Sequence, residues 1–323
     1  MLDRIEVPLC NITGVTQLGD HIFVLCGWYQ SRQIVIPSIR VYEHRPPFNL
    51  LWLIPIEELD DTPTDIVSSE KSNCLYVSDK MWIWKIELER YQVIRWLSSA
   101  NHDHMMMSVT LEDQLITISK KNSSYQMEIY CPDGVRDKLV PLQTPDNREP
   151  IQAIPTRNEQ FFIVYAHAMI DDCSLGLQWI ESTSERIDKK AEELPAPQLN
   201  LVNSRGVLSQ AVECSRDLTV EEVCSRIYYP SQPMIQSKDK RCLEYPRRVF
   251  TNGRDDLLFV FGFVNGEHRL ISLDINSLKC KKVILTTEVN CRELLKVWYA
   301  DTHKQLIVGC DGNVHVYTRE TEE

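Results

Sequence analysis

The chain has 323 residues, 43% hydrophobic and 25% charged, and a net charge of −11. That is enough apolar material for a continuous core, and the acidic balance disfavours a phosphate-binding surface, since nucleic-acid affinity rests on clustered Lys and Arg. The first residues, M-L-D-R-I-E-V-P-L, carry charge where a secretion signal needs an apolar stretch, and no run approaches the length of a membrane span; a cytoplasmic, non-membrane protein is expected.

Long helical periodicity is nearly absent, while Val, Ile, Tyr and Trp crowd into short apolar runs. Pairs of such runs joined by a tight polar turn recur along the chain. They fall at 22–26 with 39–42, 74–78 with 81–86, 114–119 with 126–131, 257–263 with 269–273, and 305–309 with 314–317. Successive first strands lie roughly 40 to 52 residues apart, with one gap near twice that, which is the period of four-stranded propeller blades.

Taken in order, residues 11–58 read as a first blade whose second and third strands are separated by the insertion G-W-Y-Q-S-R-Q-I-V-I-P-S. Residues 62–99 form the most regular blade, with the turn Asp79-Lys80 and a W-I-W alternation that puts Trp82 and Trp84 on one strand face. Inter-blade packing is the expectation for both indoles. In 104–143 the C-P-D-G turn is a hairpin signal: Pro presets one dihedral and Gly takes the positive one. The fourth blade, 149–213, loses its rhythm after 160–166. Two runs compete for its third strand, 175–180 and 199–202; the second is favoured, which makes 168–197 mostly inserted loop. A second irregular stretch, 214–243, holds a candidate short helix, L-T-V-E-E-V-C. Blades at 244–287 and 291–320 follow. The last lacks a fourth strand, and the spare strand 3–9 fills that place, removing two open sheet edges. The expected fold is therefore all-β, a single six-bladed β-propeller over 1–323, its ring closed by an N-terminal strand on the last blade.

Eleven cysteines are spread through the chain without a C-x-x-C pair. Cys26, Cys74, Cys131 and Cys310 sit inside strand patterns, where a reduced thiol packs as a small apolar group. There is no Cys/His zinc spacing.

The segments N-I-T-G-V-T-Q-L-G-D-H-I-F-V-L-C and D-I-V-S-S-E-K-S-N-C-L-Y-V-S-D-K-M-W-I-W-K-I resemble the six-bladed NHL-repeat-like propellers. Later stretches, E-Y-P-R-R-V-F with D-L-L-F-V-F and K-Q-L-I-V-G-C-D-G-N-V-H-V-Y, are similar to the last two blades of that group. The resemblance implies a platform for protein or RNA contacts, sometimes joined to RING, B-box and coiled-coil modules that this sequence lacks. The family's D-x-x-N-x-R-I blade ending is also missing, so binding residues tied to it do not transfer.

Six-bladed propellers include metal-dependent lactonases, whose acidic and amide ligands converge from the first strands. Here those strands begin with Ile12, Asp65, Met105, Gln152, Arg247 and Arg292, and only one is acidic. No metal, cofactor or catalytic residue is expected. His102-Asp103-His104 reads as a solvated inter-blade loop without a third ligand, and Glu57-Glu58-Leu59-Asp60-Asp61 as an acidic connector able to steer a basic partner. The expectation is a monomeric, non-catalytic protein-interaction platform. Its contacts are placed on Trp28 and Tyr29 from the first insertion and on Asp60, Asp61, His102 and Arg148 from inter-blade loops, since aromatic and Arg side chains dominate interface energetics. The runner-up, single-stranded RNA binding, needs Lys120, Lys121, Lys238, Lys240, Arg241, Arg247 and Arg248 to converge on one face. The third reading is a metal-dependent hydrolase.

Overall fold

Apolar residues in runs of five to eight, bounded by Gly, Asp, Asn and Thr, have too few residues for a stable helix and suit a pleated strand buried on one or both faces. The computed structural model of the chain bears this out strand by strand. It describes residues 2–7, 11–27, 36–59, 62–79, 81–98, 106–121, 124–142, 148–155, 160–167, 176–181, 198–202, 208–213, 245–251, 257–264, 267–274, 280–287, 296–300, 303–310 and 312–318.

The chain opens with β1 (Leu2–Glu6). A first sheet follows, with β2 (Asn11–Leu18), β3 (His21–Gly27), β4 (Ser38–Glu43) and β5 (Leu50–Pro55) in spatial order β2-β3-β4-β5. The second, in the same sequential order, is β6 (Asp65–Ser69), β7 (Cys74–Ser78), β8 (Trp82–Glu87) and β9 (Gln92–Ser98). The third holds β10 (Ser108–Val109), β11 (Leu115–Lys121), β12 (Ser124–Tyr130) and β13 (Arg136–Leu142). The fourth has β14 (Arg148–Pro155), β15 (Gln160–His167), β16 (Gly176–Glu181), β17 (Gln198–Val202) and β18 (Leu208–Glu213). The fifth has β19 (Tyr245–Thr251), β20 (Leu257–Val264), β21 (Glu267–Asp274) and β22 (Cys280–Thr287). Finally β23 (Lys296–Ala300), β24 (Gln305–Cys310) and β25 (Asn313–Thr318) are completed by β1, which pairs antiparallel with β25 from Leu2 opposite Tyr317 to Glu6 opposite Asn313. The spare N-terminal strand thus takes the fourth place in the last sheet, starting one residue earlier than the sequence pattern places it. Among the described residues no helix is long and apolar enough to cross a membrane.

The chain divides into two compact units. One comprises Met1–Lys121, Glu128–Asp137 and Cys291–Glu323; the other comprises Asn122–Met127 and Lys138–Asn290. In the first unit, β2 and β3 are buried along nearly their whole length, whereas the last strand of the second sheet, β9, has no buried residue. Sheets approach closely where side chains are absent. A Cβ on Gly14 would fall 2.6 Å from Cγ2 of Ile66, and one on Gly309 2.7 Å from Cγ2 of Ile12. Leu25, Ile39, Ile66, Leu75 and Trp84 belong to one apolar cluster between the first and second sheets; Ile5, Val7, Ile12, Ile307 and Val316 belong to another, between the first and last.

Polar side chains lock the same sheets in register. Thr16 donates to Ser68 Oγ (3.0 Å), which itself donates to the carbonyl of Gln17 (2.8 Å). Asp65, the single acidic residue heading a first strand, is buried and accepts from the backbone N–H of Met107 (2.8 Å), so its carboxylate serves the fold. Trp84 is buried and Trp82 half-buried in the apolar cluster, with the Arg95 guanidinium 4.6 Å from the Trp82 ring centre and 5.0 Å from that of Trp84. Cys26 and Cys74 are buried, reduced thiols.

In the second unit the outcome differs from the sequence reading at one strand. The run favoured for third place, Gln198–Val202, is fourth. Gly176–Glu181 pairs antiparallel with β15, and Gln198–Val202 runs parallel beside it. The short return through 168–175 costs less closure entropy than one spanning 168–197, and the nearer strand takes the edge of β15. The expected insertion at 168–197 therefore contains a strand of the sheet, which has five strands. The stretch 214–243, with its candidate helix, lies outside the described residues.

Candidate functional site

Three turns of the first unit bring titratable side chains together. The β2–β3 turn is L-G-D-H, where Gly19 takes a left-handed φ of 52° and leaves Asp20 at the tip, 73% exposed at its side chain. The β4–β5 connection is H-R-P-P-F-N, with a cis bond between Pro46 and Pro47; Phe48, also left-handed at φ 55°, buries its ring in the apolar cluster between the first and last sheets. The β23–β24 turn ends in T-H-K, with Lys304 at φ 51°.

His44 is buried and doubly tied to the neighbouring turn: its backbone N–H (3.2 Å) and its Nδ1 (3.0 Å) both reach the carbonyl oxygen of Asp20. A carbonyl only accepts, so Nδ1 carries the proton, and Nε2 accepts from Nε of Arg45 at 2.9 Å. The carbonyl of His44 in turn accepts from Nε2 of Gln305 (3.1 Å), on β24. His303 donates from Nε2 to the carbonyl of Gly19 (3.1 Å). The two imidazoles lie with centres 4.3 Å apart and planes tilted by 37°. Oδ1 of Asp20 stands 3.6 Å from His44 Nδ1 and 3.7 Å from His303 Nε2. One donor atom from each of the three residues lies within 4.8 Å of the others. Burial holds the His44 imidazole below its ordinary value, with His303 and Arg45 pushing the same way against the Asp20 carbonyl and carboxylate. The turns thus present two imidazoles and an exposed carboxylate, a set that suits borderline divalent cations.

Trp28, Tyr29, Asp60, Asp61 and His102 lie outside the described residues. Arg148, expected in an inter-blade loop, is the first residue of β14, opposite His167. Of the cations considered for RNA, Lys120 and Lys121 lie on β11 in the third sheet, Arg247 and Arg248 on β19 in the fifth, and Lys238, Lys240 and Arg241 lie outside the described residues. The Asp20–His44–His303 cluster was missed because His303 stands far along the chain from its partners. One signal was present: Asp20 and His303 occupy the same hairpin turn, first to second strand, in the first and last copies of the repeat.

No protein-family profile matches this chain, and no curated protein does. Among solved structures it is similar to a chain from the crystal structure of a nidogen/laminin complex, at 12% identity and a TM-score of 0.48, covering 86% of this chain and 81% of that one. It is also similar to the Dos1 propeller, at 9% identity and a TM-score of 0.46, covering 94% of this chain and 68% of that one.

Proposed function

We propose that this chain is a six-bladed, NHL-repeat-like β-propeller, its ring closed by β1, that acts in the cytoplasm as a non-catalytic platform for a protein partner. The recurrence of four-stranded antiparallel sheets, and the way β1 completes the last, support the architecture. The platform reading rests on β5. This strand ends its sheet, and it carries Leu50, Leu51 and Leu53 at 52%, 37% and 50% exposure. Trp52 and Ile54 alternate inward to the core, so Leu51 and Leu53 face away from it. An edge strand with exposed leucines is a liability in a protein that meets no partner, and sheet edges are a common place to add an extended peptide.

The occupant this surface fits is an extended apolar segment with basic flanks. Glu57 and Glu58 follow the strand directly and are exposed, and the chain carries a net charge of −11. The test is quantitative affinity capture by the full chain against Leu51→Glu/Leu53→Glu, with Leu139→Glu as an exposed-leucine control on β13. Loss of the same protein from the double variant alone, with unchanged melting temperature, is the expected result. Equal capture by all three proteins, or capture of RNA that weakens steeply with salt, overturns the reading.

A further inference from the structure

We infer that Asp20, His44 and His303 form a binding site for a divalent transition-metal ion of the zinc class, which clasps the first sheet to the last. Bonds of about 2.0–2.1 Å from a tetrahedral zinc ion to imidazole and carboxylate place its donor atoms roughly 3.3–3.4 Å from one another. Oδ1 of Asp20 is 3.6 Å from His44 Nδ1 and 3.7 Å from His303 Nε2, so a contraction of a few tenths of an ångström brings these two edges to the required length, and the third, between the two nitrogens, closes from within 4.8 Å by movement of the His303 turn. Asp20 sits exposed on a turn tip and is free to make that movement, while His44 is buried and fixed.

The donors are of the kinds that zinc takes, two imidazole nitrogens and one carboxylate oxygen, with the fourth place left for water. The carbonyl oxygens of Gly19 and Asp20 now accept from the same two nitrogens, so each has to shift aside as the ion takes its place. Both nitrogens carry protons in the present hydrogen-bonding pattern. Metal binding needs the other neutral tautomer of each ring, with the proton moved to His44 Nε2 and His303 Nδ1. No net charge is lost or gained. Arg45 then has to release His44 Nε2; its side chain is exposed and able to turn into solvent. The supporting shell is in place, since the His44 carbonyl is held by Gln305 and Phe48 anchors the same loop in the core.

The site joins turns from β2–β3, β4–β5 and β23–β24, so a bound ion cross-links the sheet that follows the N-terminal strand to the sheet that receives it. An ion held only by the folded chain raises its stability by mass action. The test uses the full reduced chain, freed of metal by a chelator, with Zn²⁺ as titrant and Co²⁺ as spectroscopic probe. Expected are saturable Zn²⁺ uptake, a rise in melting temperature, and cobalt d–d bands without a thiolate charge-transfer band. His303→Gln and Asp20→Asn, both at turns, each weaken binding at least about tenfold and abolish the thermal shift. His44→Gln does the same if it folds, but the conclusion does not depend on it. Absence of Zn²⁺ binding, equal binding in both turn variants, or a thiolate band that assigns the ion to cysteines overturns the proposal.

Discussion

The indole N–H of Trp84 donates to the carboxylate of Asp79 across 2.8 Å, and both residues are buried. The other carboxylate oxygen accepts from the backbone N–H groups of Met81 (2.7 Å) and Trp82 (2.6 Å), so one side chain closes the β7–β8 turn and orients the largest ring of the core. Asp79→Ala leaves the indole donor buried and unpaired and opens the turn, a loss of about 2–4 kcal/mol. Urea unfolding is the check. Asp79→Asn should lose less, because it keeps one acceptor, and a midpoint unchanged in both variants would show that the turn holds without this contact.

Gly14 and Gly19 predict two kinds of glycine penalty. Gly14→Ala drives a methyl group to 2.6 Å from Ile66 Cγ2 and 3.1 Å from its backbone nitrogen, so the first and second sheets must part; overpacking of this kind costs about 1–3 kcal/mol. Gly19→Ala meets nothing within 4 Å, and its cost is the left-handed backbone alone, about 1 kcal/mol. Denaturation midpoints should rank wild type, Gly19→Ala and Gly14→Ala in falling order. The reverse order for the two variants would mean that the sheets accommodate the methyl group.

Removing residues 1–7 takes away β1 and with it Ile5 and Val7, both buried in the cluster between the first and last sheets. It also bares the edge of β25. Lower melting temperature and concentration-dependent aggregation are expected, because an unpaired strand edge templates pairing with other chains. Light scattering during a thermal ramp reads both. Unaltered stability and solubility would show that the pairing contributes little.

His315 lies opposite Arg4 in the β25–β1 pair, and its Nδ1 is buried without a hydrogen-bond partner. Burial, and then the Arg4 charge, hold this imidazole below its ordinary value of 6.5. As pH falls through 6.5 the unfolded chain takes up a proton that the folded chain still refuses. Stability is therefore lost from that point downward, and the loss levels off once the folded imidazole is protonated. Urea midpoints between about pH 7.5 and 5 should fall less steeply in His315→Gln than in wild type. Parallel curves would dismiss the assignment.

Cys26 and Cys74 are buried, and burial pushes the Cys74 thiol up from its ordinary value, with weak opposition from Tyr76 and Ser69. Native alkylation followed by peptide mass mapping should label Cys131, which is partly exposed, well before either. Equal labelling rates would place the two strands in a looser setting than their burial implies.

Much of the strand pattern was written locally. The continuous apolar run of β3, the W-I-W alternation of β8 and the C-P-D-G turn before β13 each specify a strand or a hairpin turn through sterics and side-chain period. The unpaired apolar stretch at the start and the three-stranded last repeat together pointed to β1 on β25, because open edges are costly. What the sequence left open depended on contacts between distant segments. Gly176–Glu181 and Gln198–Val202 are both acceptable strands, and only pairing against β15 decided their order. Asp65 stood out only as the one acidic residue heading a first strand; its role came from the Met107 N–H that folding brings to it. The nearness of Asp20, His44 and His303 is likewise tertiary: each is an ordinary turn residue by local chemistry, and only the packing of the last sheet against the first places a carboxylate beside two imidazoles.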